Sequence, residues 1–401
     1  MSQILKLTAT PNYSLDSVAL AVRQDQAMAL KILRLANSVI YSRGDRIDTV
    51  HKAVLRIGMD NIRQVVLNIS VVERFNCPAF KEHIATTQFW EHSIATGVMA
   101  AEISRALGAQ DVDSAFTSGL LHDVGRVILA EVLGEEYIHV IETAQQLGAP
   151  LELVESRMLL LNHADIMDRF LGAWKFPRLI LDPVLHHHTS VSAARSASPS
   201  RSMEIIRLGL ADRFAHAMLL GSSGNDVIYP TTEHCRALHI GPALVRQLEE
   251  TARQHTEDTT LSLLSGSSAV SWTHRSEQLR QSLTGPFRPI FVGMEPDTDA
   301  FRIFCEAISK SGTQEPPNLC VVHIASAKER GPLVDKLLAA EREKGAASLP
   351  TIILSFDKKI TLDGAAMQER AWRLLVTPTP ISRFIEAVNE MINVTPSKTA
   401  A

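Results

Sequence analysis

The chain has 401 residues, of which 45% are hydrophobic and 21% are charged, and its formal net charge at pH 7 is -4. This length suits two or three domains with well-formed cores. The near-neutral charge, without a basic stripe interleaved with aromatic residues, argues against a nucleic-acid-binding protein.

Cysteine usage and the apolar segments narrow the class of protein further. The four cysteines lie far apart and form no CxxC pair, which favours a reducing compartment over a disulfide framework or a zinc ribbon. The first residues lack the basic and apolar regions of a signal peptide, and no apolar run approaches the ~18–20 residues of a membrane span. We therefore expect a cytoplasmic protein with neither a nucleic acid nor a membrane as partner.

From Leu15 to about Leu248 the sequence has a helical pattern along nearly its whole length. Apolar residues recur at spacings of three or four, which places them on one buried face of each helix. Examples are Leu30, Leu33 and Ala36, and Ile94, Val98 and Ala101. The first domain is therefore predicted to be all-α.

Two polar stretches differ in composition from the helical segments. The residues from Ser190 to Ser202 are small, polar and aperiodic, and we predict a mobile loop there. From about Glu257 to Pro289 the sequence is rich in Ser, Thr and Gly, which is typical of an interdomain connection. The first domain is accordingly placed at residues 1–255 and the linker at 256–287.

Beyond the linker, short apolar runs alternate with helical segments. The predicted strands are 289–293, 319–322, 351–355 and 372–376, and the predicted helices are 298–309, 332–344 and 381–392. Strands that alternate with helices favour right-handed β-α-β units and a parallel sheet. We therefore predict a small α/β domain at residues 288–395.

The pair His122-Asp123 lies in a segment that otherwise has the pattern of a buried apolar helix. Burying an imidazole and a carboxylate is costly unless each has a partner. A divalent metal would satisfy both, because neutral histidine nitrogen and carboxylate oxygen are common metal ligands. A lone histidine on an apolar helix, however, is more often a hydrogen-bonded packing residue.

Similar candidate ligands recur on other apolar helices. Each one alone has an ordinary explanation, such as a packing histidine, a solvated Asp212-Arg213 pair, or a histidine-rich loop. Their recurrence on separate helices favours a shared metal site. The predicted metal ligands are His92, His122, Asp123, His163, His187, His188 and Asp212.

Four of these predicted ligands resemble the signature of a known superfamily. The order His92, His122-Asp123 and Asp212 is similar to the H…HD…D signature of the HD superfamily of metal-dependent phosphohydrolases. In those all-α enzymes the four residues hold a divalent metal. The resemblance implies iron, manganese or magnesium in the corresponding pocket here.

The remaining histidines resemble those of one HD subfamily. His163, His187 and His188 are similar to the additional ligands of the HD-GYP enzymes, cyclic di-GMP phosphodiesterases with bi- or trinuclear sites. Two departures argue against such an enzyme. Arg126 replaces the lysine of the HDxGK motif, and a Ser-rich stretch from Thr189 replaces the expected Glu and Gly-Tyr-Pro loop.

A closer resemblance covers most of the first domain, roughly Leu15 to Leu248. The segments 33–42, with Asn37-Ser38, and 47–58, together with 174–177, are similar to the HDOD family. HDOD proteins are bacterial signalling modules built on the HD fold and lack an established hydrolase activity. The resemblance implies signalling proteins as partners, and a nucleotide or cyclic dinucleotide as a candidate ligand.

The order of elements in the second domain resembles a response-regulator receiver, with its flavodoxin-like sheet. A receiver needs a phosphoacceptor Asp after its middle strand and a Lys before a Pro. Here His323 and Thr377 stand at those positions, and the link from Ser309 to Leu319 is too short for a full β-α unit. We expect a degenerate receiver that serves as a docking or dimerisation surface, with an unrelated small α/β domain as the alternative.

The sequence leaves several functions open. The first hypothesis is a signal-transduction protein that acts through protein–protein or ligand binding, with a metal in the HD pocket and a homodimer as one assembly. The alternative is a metal-dependent phosphohydrolase or cyclic-dinucleotide phosphodiesterase, in which a metal-bound hydroxide attacks phosphorus and Arg126 contacts the phosphate. A nucleotide sensor that binds without cleavage is a third hypothesis.

Overall fold

The computed structural model describes residues 14–42, 44–74, 86–173, 176–264, 272–309, 315–346, 348–362, 367 and 370–393. Residues 174 and 175 of the HDOD-like segment, and residues 394 and 395 of the predicted second domain, lie outside the described residues.

The first part of the chain is helical, which confirms the all-α prediction. Its described α-helices are α1 Leu15–Arg23, α2 Gln26–Ala36, α3 Val50–Ile57, α4 Met59–Arg74, α5 Thr86–Ala106, α6 Val112–Leu121, α7 Val124–Leu133, α8 Glu135–Leu147, α9 Leu151–Met158, α10 His163–Ala173, α11 Arg178–His186, α12 Val191–Ala197, α13 Ser202–Ala217, α14 Thr232–Ala237, α15 Pro242–Leu263 and α16 Trp272–Gln281. No helix in the described part of the chain combines the length and hydrophobicity that a membrane span requires.

Side-chain caps fix the first helices. The Ser14 hydroxyl accepts a hydrogen bond from the Ser17 N–H, and the Ser17 side chain returns to the Ser14 backbone in a capping box. Asp25 caps α2 by accepting from the Met28 N–H at 3.0 Å. These local contacts fix the positions where α1 and α2 begin.

Helices α5 and α13 form the centre of the helical domain, and most of their residues are buried on every side. Glycines allow α5 and α6 to approach closely, since a Cβ added to Gly119 would lie 2.4 Å from the Cα of Gly97. The close approach brings the end of α6, with His122, next to α5, which carries His92.

The loop prediction for Ser190 to Ser202 is wrong, because this segment contains α12 and a short 3-10 helix, Pro199–Arg201. The Ser190 side chain caps α12 by accepting from the Ala193 N–H, and Val191 and Ala194 are buried. Tertiary packing thus outweighs the weak helix propensity of serine. Helices α15 and α16 extend into the predicted linker, so the domain boundaries stay a prediction.

The second part of the chain contains the predicted parallel sheet. Strands β2 Pro289–Val292, β3 Leu319–Ile324, β4 Thr351–Ser355 and β5 Trp372–Val376 lie side by side in that order. All three pairings are parallel. The helices of this domain are α17 Ala300–Ile308, α18 Arg330–Glu343 and α19 Ile381–Ile392.

The two faces of this sheet have different neighbours. Leu319 and Val321 of β3 pack with α17, α19 and the helical domain. Val322 and Ile324 of the same strand face α18 on the opposite side. This alternation is the period-two pattern of a strand that is buried on both faces.

The helix positions bear on the receiver interpretation. Strands in sequential order joined by right-handed crossovers would place every crossover helix on one face, whereas α17 and α18 lie on opposite faces. A receiver-type sheet of order 2-1-3-4-5 that lacks its second strand and the following helix would have this arrangement. The interpretation as a degenerate receiver stays a prediction.

The helical and α/β domains share one apolar core and a small antiparallel sheet. Strand β1 Val227–Ile228, after α13, pairs with β6 Thr379–Pro380, which precedes α19. The Thr231 hydroxyl donates to the Thr298 carbonyl at 2.7 Å and accepts from the Ala300 N–H at 2.9 Å. Side chains of α13, α17 and α19 belong to the same buried cluster.

Candidate metal centre

The structure brings all the sequence-predicted ligands into one cluster, in overlapping groups whose ligand atoms lie within 4.8 Å of one another. The residues come from separate helices, as the sequence pattern required. His92 lies in α5, His122 and Asp123 between α6 and α7, His163 at the start of α10, His187 and His188 after α11, and Asp212 in α13.

The first part of the cluster, called the Asp212 group, consists of His92, His122, Asp123, Asp212 and His216. The Asp212 Oδ1 lies 3.1 Å from His92 Nε2, 3.5 Å from His122 Nε2 and 3.4 Å from His216 Nε2. Asp123 Oδ2 lies 3.3 Å from His122 Nε2. Two carboxylates and three imidazoles therefore direct their ligand atoms toward one small volume.

The second part, called the His163 group, consists of Asp123, His163, His187 and His188. Asp123 Oδ1 lies 3.2 Å from His163 Nε2 and 3.7 Å from His187 Nε2. His188 Nε2 lies 3.3 Å from His163 Nε2. Asp123 thus belongs to both groups, with one oxygen toward each.

Backbone carbonyls orient two of the imidazoles. His122 Nδ1 lies 2.6 Å from the Gly119 carbonyl oxygen, and His187 Nδ1 lies 2.7 Å from that of Val184. Because a carbonyl only accepts, both Nδ1 atoms donate, and the Nε2 of each ring is the nitrogen that faces the cluster. An imidazole that donates from Nδ1 in this way ligates a metal through Nε2.

His216 is a member of the cluster that the sequence prediction missed. It follows Asp212 by four residues on α13, so both side chains lie on the same helix face. That spacing was the available signal. The spacing alone did not identify His216, because most of α13 is buried on all sides and the sequence has no apolar stripe that would show which face carries Asp212.

Glu155 was also missed, and it supports His163 from behind. Its Oε2 lies 2.7 Å from His163 Nδ1 and accepts from the His163 backbone N–H at 3.0 Å. The Tyr137 hydroxyl donates to Glu155 Oε1 at 2.6 Å. A carboxylate behind a histidine is a common way to orient a metal-binding imidazole.

Most of these candidate ligands lie in a region that matches a known family. A family model described as the HDOD domain matches residues 1–190. The chain contains an HDOD domain. The match includes the candidate ligands from His92 to His188, whereas Asp212 and His216 lie beyond it.

Other proteins resemble the chain at low identity. An uncharacterized protein of Treponema pallidum (strain Nichols) is 22% identical over 198 residues, which cover 49% of this chain and 38% of that protein. The matched region is thus well under half of that relative.

Two solved structures are also similar. An HDOD domain protein of unknown function from Geobacter sulfurreducens is 22% identical with a TM-score of 0.48, over 69% of this chain and 87% of that one. A protein of Shewanella amazonensis SB2B that is provisionally named a phosphohydrolase is 20% identical with a TM-score of 0.49, over 65% and 92%. These similarities are too distant to transfer an activity.

Arg126 of the HDOD domain points into the protein and is fully buried. Its Nη1 lies 2.8 Å from Asp123 Oδ2 and donates to the Ser223 hydroxyl at 2.5 Å. Its Nη2 lies 3.4 Å from His188 Nε2. The guanidinium therefore lies against the candidate ligands themselves.

The electrostatics of the cluster keep its carboxylates ionised. Burial raises the pKa of the Asp123 carboxyl, but Arg126 and His122 outweigh it and lower that pKa well below its usual range. Asp212 follows the same pattern, with His216 and His122 lowering its pKa against burial. Burial lowers the pKa of His122, yet the Asp123 and Asp212 carboxylates raise it to about 10. Both carboxylates remain ionised and attract positive charge.

The donor set fits a divalent metal. The buried atoms His122 Nε2, His187 Nε2 and Asp123 Oδ1 have no hydrogen bond. Leaving a buried polar atom unsatisfied costs about 1–3 kcal/mol, and nitrogen and carboxylate oxygen are ordinary metal ligands. The residues present therefore fit a metal of the kind that the sequence prediction proposed.

Proposed function

We propose that this chain is a bacterial signal-transduction protein whose HDOD domain holds a divalent metal in a closed pocket and acts by binding other proteins. Burial of the cluster is the observation that carries the proposal. His92, His122, Asp123, Arg126, His163, His187, Asp212 and His216 are each at most 2% exposed. A phosphodiester substrate thus has few ligand atoms to approach, and His188 alone among the predicted ligands is partly exposed.

The Asp212 group would hold the metal. A bound divalent ion would supply positive charge to two ionised carboxylates and would act as a Lewis acid where a ligand position stayed open. The donor set combines imidazoles, which suit iron, with carboxylates, which suit manganese, whereas magnesium prefers oxygen ligands alone. The protein's own part is to orient each Nε2 and to exclude water.

One segment connects the cluster with the α/β domain. This covering loop, residues 219–231, donates from the Ser222 N–H to the Gln88 carbonyl at 2.9 Å. Gly221 has a φ of +73° and lies so close to α5 that an added Cβ would be 2.3 Å from the backbone nitrogen of His92. Its Ser223 accepts from Arg126.

The same loop carries β1, which pairs with β6 of the α/β domain. The Ile381 N–H at the start of α19 also donates to the Asp226 carbonyl at 2.9 Å. A change in the cluster would therefore reach the α/β domain through a short series of direct contacts. We propose that the α/β domain presents the surface that signalling partners bind.

The experiment combines elemental analysis with an activity assay on untagged protein. We expect stoichiometric iron or manganese in the wild type, little metal in the His122→Ala/Asp123→Ala variant, and no cyclic-dinucleotide turnover by either protein in added Mn²⁺. His139→Ala, which removes an exposed histidine, is the matched control and should retain the metal. Turnover by the wild type that the double variant lacks would overturn the regulatory proposal.

The hydrolase alternative has one observation in its favour. Asp123 directs one oxygen to each group, as a carboxylate that bridges two metals would. Under that hypothesis, metal-loaded protein hydrolyses a phosphodiester and loses the activity with His163→Ala. The same assay therefore separates the two functions.

A further inference from the structure

We propose that the cluster binds one divalent cation, in the Asp212 group, and that the Arg126 guanidinium serves as a built-in cation that excludes a second metal from the His163 group. This inference rests on the proposed metal binding. It goes further by assigning the number of metals, their place, and the residue that sets both.

The contacts of Arg126 are concentrated on the His163 group. Its Nη1 lies 2.8 Å from Asp123 Oδ2, its Nη2 lies 3.4 Å from His188 Nε2, and its Nε lies 3.5 Å from His163 Nδ1. Of the two Asp123 oxygens, Arg126 contacts the one that faces His122 of the Asp212 group, whereas both of its contacts with imidazoles are to members of the His163 group. The guanidinium thus lies beside three of the four members of the His163 group.

Hydrogen-bond chemistry makes this position incompatible with full metal ligation. A guanidinium has only donors, so His188 Nε2 accepts from Arg126 with the lone pair that a metal would need. The same Nε2 lies 3.3 Å from His163 Nε2, a spacing that two ligands of one metal ion can have, so it is the contact with Arg126 that withholds His188 from a metal.

Charge complementarity supports the same assignment. Around the His163 group, Asp123 and Glu155 are the carboxylates, and Arg126 lies within 3.9 Å of both. The side chain is held there, because Ser223 accepts from Nη1 with both its hydroxyl and its carbonyl oxygen. A divalent ion added to this group would meet a fixed positive charge in a region of low dielectric constant.

The Asp212 group has the opposite balance. It contains two carboxylates and the imidazoles of His92, His122 and His216, with Nε2 atoms close to the carboxylate oxygens. Apart from the contact at Asp123, no arginine or lysine of the described residues forms an ion pair within this group. A divalent cation would bind here to the Asp212 carboxylate, whose ion-pair partners among the described residues are imidazoles alone.

The test counts Mn²⁺ ions on the full-length protein after metal removal, reconstitution and gel filtration. We expect one Mn²⁺ per chain in the wild type, with the electron paramagnetic resonance spectrum of an isolated ion. Arg126→Met removes the charge but keeps a long side chain, and we expect it to bind two. Arg157→Met, at an exposed arginine, is the matched control and should bind one.

Two Mn²⁺ ions in the wild type would overturn this inference but leave the proposed function standing, whereas no Mn²⁺ would overturn both. A folded Arg126→Met protein that still binds one ion would also contradict it. If Arg126→Met does not fold, the Mn²⁺ affinities of two other variants test which group holds the metal. We expect His188→Ala to keep the wild-type Mn²⁺ affinity, and Asp212→Asn to weaken it at least about tenfold. The reverse order of effects would refute the assignment.

Discussion

The buried Arg370–Glu341 pair of the α/β domain and the buried His/Asp cluster of the helical domain differ in how their polar atoms are satisfied. In the α/β domain, Arg370 donates to both Glu341 oxygens at 2.6 and 2.7 Å, and Glu341 also accepts from the Leu349 N–H. In the helical domain, buried atoms of Asp123 and His122 have no hydrogen bond. Burial of charge is therefore compatible with a purely structural role, and it is the convergence of several unsatisfied histidine and carboxylate atoms on one place that points to a metal.

The largest effect is expected when the buried Arg370–Glu341 ion pair is broken. Glu341→Ala would leave the buried Arg370 guanidinium without its carboxylate, so we expect the free energy of unfolding to fall by about 3–5 kcal/mol. Chemical denaturation measures this. Glu343→Ala, at an exposed position on the same helix, is the control. A loss below about 1 kcal/mol would contradict the structural role, since surface ion pairs are typically worth that little.

Metal removal tests the unsatisfied cluster. A ligand present at 100 times its Kd stabilises the native state by about 2.7 kcal/mol, so chelation of the metal should lower the Tm of the helical domain by about 5–10 °C. The His122→Ala/Asp123→Ala variant should show no response to the chelator. An equal response in both proteins would mean that the chelator acts elsewhere.

A third variant probes the contact between the two regions. Thr231→Val keeps the side-chain shape but removes the hydroxyl that bonds to Thr298 and Ala300. We expect a loss of about 1–3 kcal/mol, because a buried N–H loses its acceptor. Thr143→Val, whose hydroxyl bonds within its own helix, is the control. Unchanged stability would show that these two hydrogen bonds contribute little to the junction.

The smallest expected effect concerns His216. His216→Ala removes one nitrogen donor from the Asp212 group, and we expect Mn²⁺ affinity to fall by about tenfold, or 1.4 kcal/mol. Isothermal titration with Mn²⁺ measures the change, with His139→Ala as control. Wild-type affinity in His216→Ala would place this residue outside the metal site.

Much of the architecture could be predicted because local patterns carry it. Spacings of three and four residues identify the helices, and apolar runs between helices identify the parallel strands. The cluster itself was predictable because His122-Asp123 interrupts an apolar pattern, and such a polar pair needs a partner wherever it is buried. His92 and Asp212 then follow from the same reasoning on other helices.

Other features depend on contacts that no local pattern records. The sequence of residues 190–202 predicts a loop, but α12 forms there because Val191 and Ala194 are buried against the rest of the protein. The pairing of Val227 with Pro380 joins residues far apart in the sequence, and a two-residue strand has no periodicity to detect. The inward direction of Arg126 depends on Ser223, which is likewise distant along the chain.

The central claim is that the buried His/Asp cluster is a metal site. Anomalous diffraction from crystals of untagged protein, measured at the manganese and iron absorption edges, tests it most directly. We predict one anomalous peak among His92, His122, Asp123 and Asp212. Crystals of metal-reconstituted protein with no peak at these residues would contradict the claim.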